Sequence, residues 1–188
     1  VLSFEEERLY LAAASQLLYD VAVLMLETGM RPDEAYKLKT ENVDFEQNTL
    51  AITFGKTKAA RRKLPLTKRA ALILRQRIAT AEGNCLFPAK GNPVETMGKV
   101  NHAHYRALKR SGVASFRLYD LRHTFASRAA MSGVDLVTLA ALLGHSKIQM
   151  VLRYAHPTAE HQINAIKKLE GFTLAGQMAE ATASAFIQ

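Results

Sequence analysis

The sequence has 188 residues, 48% of them hydrophobic, and carries 25 Lys and Arg against 17 Asp and Glu for a net charge of +8. That length supports one well-filled core, that composition argues against disorder, and no stretch approaches the roughly 20 uninterrupted apolar residues of a spanning helix. A single cysteine, Cys85, excludes an internal disulfide and fits a soluble protein of a reducing compartment.

In chain order the pattern is mostly α with a small antiparallel β-sheet near the start, an α+β class. The opening VLSFEEERLY lacks the basic start and apolar run of a signal peptide. Ser3 with Glu6 forms a capping box that opens a helix over about 4–15. LLYDVAVLMLETG predicts an apolar helix closed by Gly29, and RPDEAYKL opens another just past the turn. TLAITF (49–54) and RKLPL (62–66) predict strands flanking GKTKAAR, the turn of a β-hairpin. Thr67 caps a helix over KRAALILRQRIATA, and another follows at about 96–111. RLYDLRHTFASRAAMSG predicts a helix ending at Gly133, and Asp135 caps a short one ending at Gly144. Ser146 with Gln149 predicts a second capping box, for a helix carrying Tyr154; a further helix follows at about 158–169. The tail from Phe172 lacks a full apolar stripe. With no repeat, low-complexity tract or linker, the expectation is one domain over 1–188.

Charge is unevenly spread. Fifteen of the 25 basic residues, but only two of the 17 acids, Glu82 and Glu95, lie between Gln47 and Tyr119. Such polarity suits one face to a polyanion. The hairpin turn contributes Lys56 and Lys58, with Arg61, Arg62 and Lys63 behind them, all candidates to touch phosphate. Arg31 sits between the turn at Gly29 and the helix start at Pro32, beside unpaired backbone N–H groups that favour an anion. Arg122 falls in the first turn of its own helix, where a local pair with Asp120 is the alternative to an anion-binding role. Two guanidiniums suit a phosphodiester, because each donates two hydrogen bonds to nonbridging oxygens as charge builds on them.

Tyr154 lies nine residues past His145. On a helix, Ile148, Val151 and Leu152 share one side and Tyr154 points roughly 110° away from them. A phenol of pKa near 10 is only about one part in a thousand ionised at neutral pH, so a nucleophilic role needs a base or a strongly positive site. Other chemistries fit less well. His102 and His104 make an H-x-H with no further ligand at zinc spacing, and neither a G-x-x-x-x-G-K-[ST] loop nor a G-x-S-x-G elbow is present. Cys85 sits in an apolar context that suits the core.

Taken in order, these segments resemble the tyrosine recombinase, or phage integrase, family. TGMRPDEAYKL is similar to its first arginine box, GKTKAARRKLPL to its lysine-bearing hairpin, and LRHTFASRAAMSGVDLVTLAALLGHSKIQMVLRYAH to its second box. The resemblance implies that Arg31 and Arg122 clamp a scissile phosphate of double-stranded DNA at an attachment-type site. It implies that His145 hydrogen-bonds a nonbridging oxygen, that Tyr154 attacks phosphorus, and that Lys56 or Lys58 protonates the departing 5′ oxygen, with neither metal nor ATP as cofactor. One position departs: Tyr119 stands where the family usually has histidine, so Tyr119 is expected to contact phosphate without an acid–base role. His123, one residue past the arginine, points to a different side of the helix and is not an obvious replacement.

The family further implies site-specific integration or excision by a homo-oligomer, a tetramer on DNA, in the bacterial cytoplasm at the nucleoid. Type IB topoisomerase-like relaxation and a catalytically degenerate DNA-binding module are the alternatives. The chain is expected to be the catalytic domain, without the N-terminal core-binding domain, and 172–188 is a candidate exchange segment that packs on a neighbouring protomer or folds back on its own domain.

Overall fold

Ser3 opens α1 (Phe4–Ala12) through the expected capping box, its hydroxyl accepting from the Glu6 N–H while the Glu6 carboxylate accepts from the Ser3 N–H. Helix α2 (Gln16–Thr28) is closed by Gly29 in the left-handed region at φ 67°. Val21 to Met25 are all fully buried on α2, as expected for a helix apolar all round. Helix α3 (Pro32–Tyr36) is short. Strands β1 (Val43–Asp44), β2 (Thr49–Ile52) and β3 (Arg62–Pro65) form one antiparallel sheet in that order, with Leu50 opposite Leu64. Thr67 caps α4 (Lys68–Ala79). The computed structural model describes residues 1–55, 57–155 and 159–185.

Three stretches depart from expectation. The helix placed near 96 starts only at Asn101 (α5, Asn101–Ser111), and before it runs a hairpin of β4 (Pro88–Ala89) and β5 (Asn92–Thr96). Two prolines and a glycine at φ 77° make that hairpin, and they also erase the alternation by which strands are recognised. The capping box at Ser146 does not form. Tyr154 rides instead on two 3-10 turns, Ile148–Met150 and Leu152–Tyr154, after α6 (Asp120–Met131) and α7 (Leu136–Leu143). Finally, the last helix, α8 (Ala159–Ala185), passes through Phe172 without a break.

The chain divides into two units, Val1–Tyr154 and Ala155–Gln188. In the first, α2 packs against α4 and α6, and α1 against α5. Leu18, Leu24 and Leu74 are wholly buried there, and each such side chain contributes about 1.5–3 kcal/mol before chain entropy is subtracted. A smaller cluster of Ala126, Leu139, Ala140, Leu143 and Val151 joins α6, α7 and the 3-10 turns. The contact of α2 with α6 brings Gly29 beside Arg122, which creates the site. Among the described residues no helix is long and apolar enough to cross a membrane.

Candidate active site

Arg122 is 1% exposed. Its guanidinium donates to the carbonyls of Gly29 (2.7 Å) and Leu143 (2.6 Å), and to Nε2 of His145 (3.0 Å). The carbonyls belong to helix C-termini, where backbone acceptors lack helical partners. Gly29 must be glycine for this approach: beyond its positive φ, a Cβ there would stand 2.4 Å from the Phe125 ring. The alternative pairing of Arg122 with Asp120 does not form. Asp120 pairs with Arg117 instead, and among the described residues no carboxylate lies within ion-pair distance of Arg122. Burial, then repulsion from Arg31 and Arg62, outweighs attraction to Tyr119 and Glu34 and pushes the Arg122 guanidinium down to about 10. A buried cation held only by dipoles is costly, and an arriving anion relieves it.

Arg31 contributes to the same positive field. Its N–H and Nη1 both donate to the carboxylate of Glu34, each at 2.8 Å. Arg31 and Tyr119 line one open groove of about 730 Å³, together with Lys99, Tyr105 and Arg117. Loop 112–119, one wall of that groove, is tied to the core by His104. The His104 Nε2 faces the Phe116 carbonyl at 2.8 Å and its Nδ1 faces the Tyr10 hydroxyl at 2.7 Å. His104 therefore serves packing, with both ring nitrogens satisfied.

His145 follows Gly144, which closes α7 at φ 66°. Arginine can only donate, so the His145 Nε2 accepts and the ring proton resides on Nδ1. Among the described residues this Nδ1 is the buried side-chain polar atom left without a hydrogen-bond partner. Burial, then Arg122, Arg31, Arg153 and Arg62, pushes the imidazole down to about 4. It is a neutral donor awaiting an acceptor.

Tyr154 is half-buried against the smaller cluster. In a 3-10 geometry residues three apart eclipse, so Tyr154 follows buried Val151 instead of turning away from it as an α-helix would demand. Its hydroxyl meets Nδ1 of His123 at 2.5 Å. Burial, and to a lesser degree Tyr119, raises its pKa above the ordinary phenol value despite Arg153 and Arg122. The Tyr119 ring meets the His123 ring edge to face, with centroids 5.2 Å apart.

The basic hairpin divides. Lys58, Arg61 and Lys63 are exposed, Lys63 reaching Gln47 at 3.3 Å. Lys56 lies outside the described residues. Arg62, expected at phosphate, instead turns inward. Its side chain is 7% exposed, pairs with Glu34 at 2.9 Å and donates to the Leu142 carbonyl at 2.6 Å. The reason is Glu34, whose carboxylate is itself buried and needs a cation. Burial alone would raise the Glu34 carboxyl, but Arg62 and then Arg31 hold it below its ordinary value. Arg62 thus clamps the hairpin to α3 and α7, close enough that a Cβ on Gly144 would sit 2.9 Å from the Ala59 carbonyl. Glu34 escaped the sequence reading, although its spacing three residues after Arg31 is a capping pattern. His123, which on its helix points to a different side from Arg122 and is not an obvious replacement for the usual histidine, meets the Tyr154 hydroxyl from that side.

The sequence profile of the phage integrase family matches residues 2–161. The chain belongs to the phage integrase family. It is 33% identical over 168 residues to the integrase of Escherichia phage P2, an alignment covering 88% of this chain and 45% of that relative. The chain thus spans less than half of the P2 integrase. Among solved structures, the catalytic domain of bacteriophage HP1 integrase superposes with a TM-score of 0.66 at 25% identity, covering 88% of this chain and 92% of that one. The Tn1549 transposon integrase in complex with a circular intermediate DNA gives a TM-score of 0.76 at 23% identity, over 89% and 65% respectively, a likeness of fold. This integrase-family core is therefore mostly helical with small antiparallel sheets, as the sequence implied.

Proposed function

We propose that this chain is the catalytic domain of a site-specific recombinase that cuts and rejoins double-stranded DNA through Tyr154. The observation that carries the reading is the Arg122 guanidinium, fully buried with no carboxylate in ion-pair contact among the described residues and in the common field of Arg31, His145 and Tyr154. A DNA phosphate supplies the missing negative charge. Arg31 and Arg122 bind its two nonbridging oxygens, the unpartnered Nδ1–H of His145 donates to one of them, and these fixed donors stabilise the charge that builds there in the transition state. The Tyr154 Oη attacks phosphorus and the 5′ oxygen departs, protonated by Lys56 or Lys58, leaving a 3′-phosphotyrosine. Rejoining reverses each step, and the conserved ester bond supplies the driving force. Exposed Lys58, Arg61 and Lys63 track the flanking backbone, and Tyr119 contacts phosphate from the groove wall.

Recombination joins two duplexes, so the working form is a homo-oligomer, a tetramer, on an attachment-type site. Phe172, 81% exposed, supports a role for 172–188 in packing between protomers. The test is covalent capture. A nicked suicide duplex, recovered by binding selection from a randomised pool, is incubated with the protein in EDTA and run on a denaturing gel. Wild type yields a protein–DNA band that Tyr154→Phe lacks. Absence of a band from wild type would reduce the chain to a DNA-binding module, and a band from Tyr154→Phe would remove Tyr154 from the role.

A further inference from the structure

The phenol of Tyr154 must lose a proton as it attacks, and the surrounding groups narrow where that proton goes. Arg122 and Arg153 are cations and accept nothing. His145 already accepts from Arg122 at Nε2 and keeps its own proton on Nδ1. Tyr119 is a second phenol. His123 alone among these presents a ring nitrogen to the reacting oxygen, Nδ1 to Oη at 2.5 Å. We infer that His123 is a catalytic residue, the general base that takes the Tyr154 proton during cleavage and returns it on rejoining. This rests on the reading of Tyr154 as nucleophile and extends it.

The step balances. As Oη bonds to phosphorus and the P–O5′ bond breaks, the phenolic proton moves to His123 Nδ1, giving an imidazolium, while the 5′ oxygen takes a proton from the lysine. On reversal the 5′ hydroxyl returns that proton to the lysine amine, and the imidazolium reprotonates Oη as the phosphotyrosine opens. Several charges face the ring. Asp120 on α6 favours the imidazolium, whereas Arg122 on α6, Arg117 on the preceding loop and Arg153 on the Tyr154 turn oppose it. Val1, Glu6 and the 113–116 segment bound a cavity of about 350 Å³ that His123 also lines. Burial leads the balance, and His123 is held below the ordinary imidazole value, hence neutral and able to accept near neutral pH. Its place in the first turn of α6, where the helix dipole opposes a positive charge, also favours return of the proton.

The test is single-turnover cleavage of the same nicked duplex across pH by His123→Asn, which retains an acceptor for the phenol but no base. Cleavage is expected to fall by about 10²-fold or more with DNA affinity unchanged. The wild-type loss of rate toward acid, where His123 protonates, disappears with it. Added imidazole, for which the adjoining cavity leaves room, is expected to restore part of the rate to His123→Gly. A 5′-bridging phosphorothioate, whose thiolate leaves without an acid, does not rescue His123→Asn. Cleavage by His123→Asn within about threefold of wild type, an unchanged acid limb, or rescue by the sulfur substrate would each overturn the assignment. Wild type without any adduct would instead remove the reading of Tyr154 beneath it. A readout independent of DNA and of variant folding at His123 is its NMR titration, whose midpoint shifts in Tyr154→Phe; identical curves would also overturn the inference.

Discussion

The two sides of the site bury positive charge in opposite ways. On the hairpin side, Arg62 meets the carboxylate of Glu34 in a two-pronged pair, Nη1 to Oε1 at 3.0 Å and Nη2 to Oε2 at 2.9 Å. On the α6 side, Arg122 is buried too, more deeply still, but among the described residues it meets two carbonyls and an imidazole and no carboxylate. The first arginine is satisfied and therefore structural. The second is left with charge to share and therefore suits a ligand. Burial alone does not distinguish them; the presence of a carboxylate does.

That contrast breaks most sharply at Glu34. Glu34→Ala strands the buried Arg62 guanidinium and removes the partner of part-exposed Arg31, and is expected to destabilise the fold by about 3–5 kcal/mol, read as a lower denaturant midpoint. Arg122→Lys removes the two-pronged donor while leaving a cation. Adduct formation is expected to fall by about 10²–10³-fold with little change in thermal midpoint, and equal loss of stability and activity would erase the distinction.

Acid sharpens it next. Glu34 has a depressed folded pKa, so its stabilisation is present above the ordinary carboxylate value of 4.5 and is lost as pH falls through the lower folded value. His145 is also depressed, from 6.5 to about 4, but as a base: between those values the unfolded chain binds the extra proton, so stability declines as pH drops through that window. His145→Gln is expected to flatten the slope from pH 6.5 to 4 in denaturation experiments, leaving the Glu34 limb below it. Duplex DNA, by adding negative charge, raises the His145 midpoint, a shift visible by NMR. The smallest effect belongs to the exposed hairpin. Arg61→Gln or Lys63→Gln is expected to reduce the salt slope of DNA binding by about one unit each without altering folding, whereas Arg62→Gln alters folding first.

Local signals carried much of this arrangement. Ser3, Gly29, Thr67, Asp135 and Gly144 each end or begin a helix where sequence chemistry demands, because a cap is satisfied by atoms a few residues away. The same locality let Arg31, Arg122, His145 and Tyr154 stand out. It failed at Pro88–Thr96, where turn residues hide a hairpin, and at Ser146, where a sequence suited to a capping box yields 3-10 turns anchored by Val151. It failed for Arg62, since nothing near position 62 reveals a buried carboxylate at position 34.

From the linear order of residues alone came the mostly helical class with its small sheet, the caps, the basic middle and the identity of the charged side chains, for these depend on short-range geometry and composition. The tertiary fold decided which arginine is neutralised, which imidazole holds the tyrosine hydroxyl, and which nitrogen of His145 is left to donate. Those outcomes depend on partners 28, 31 and 23 positions apart in sequence, and only packing of the hairpin against α3, and of α6 against the end of α7 and the final turn, brings them within hydrogen-bond reach.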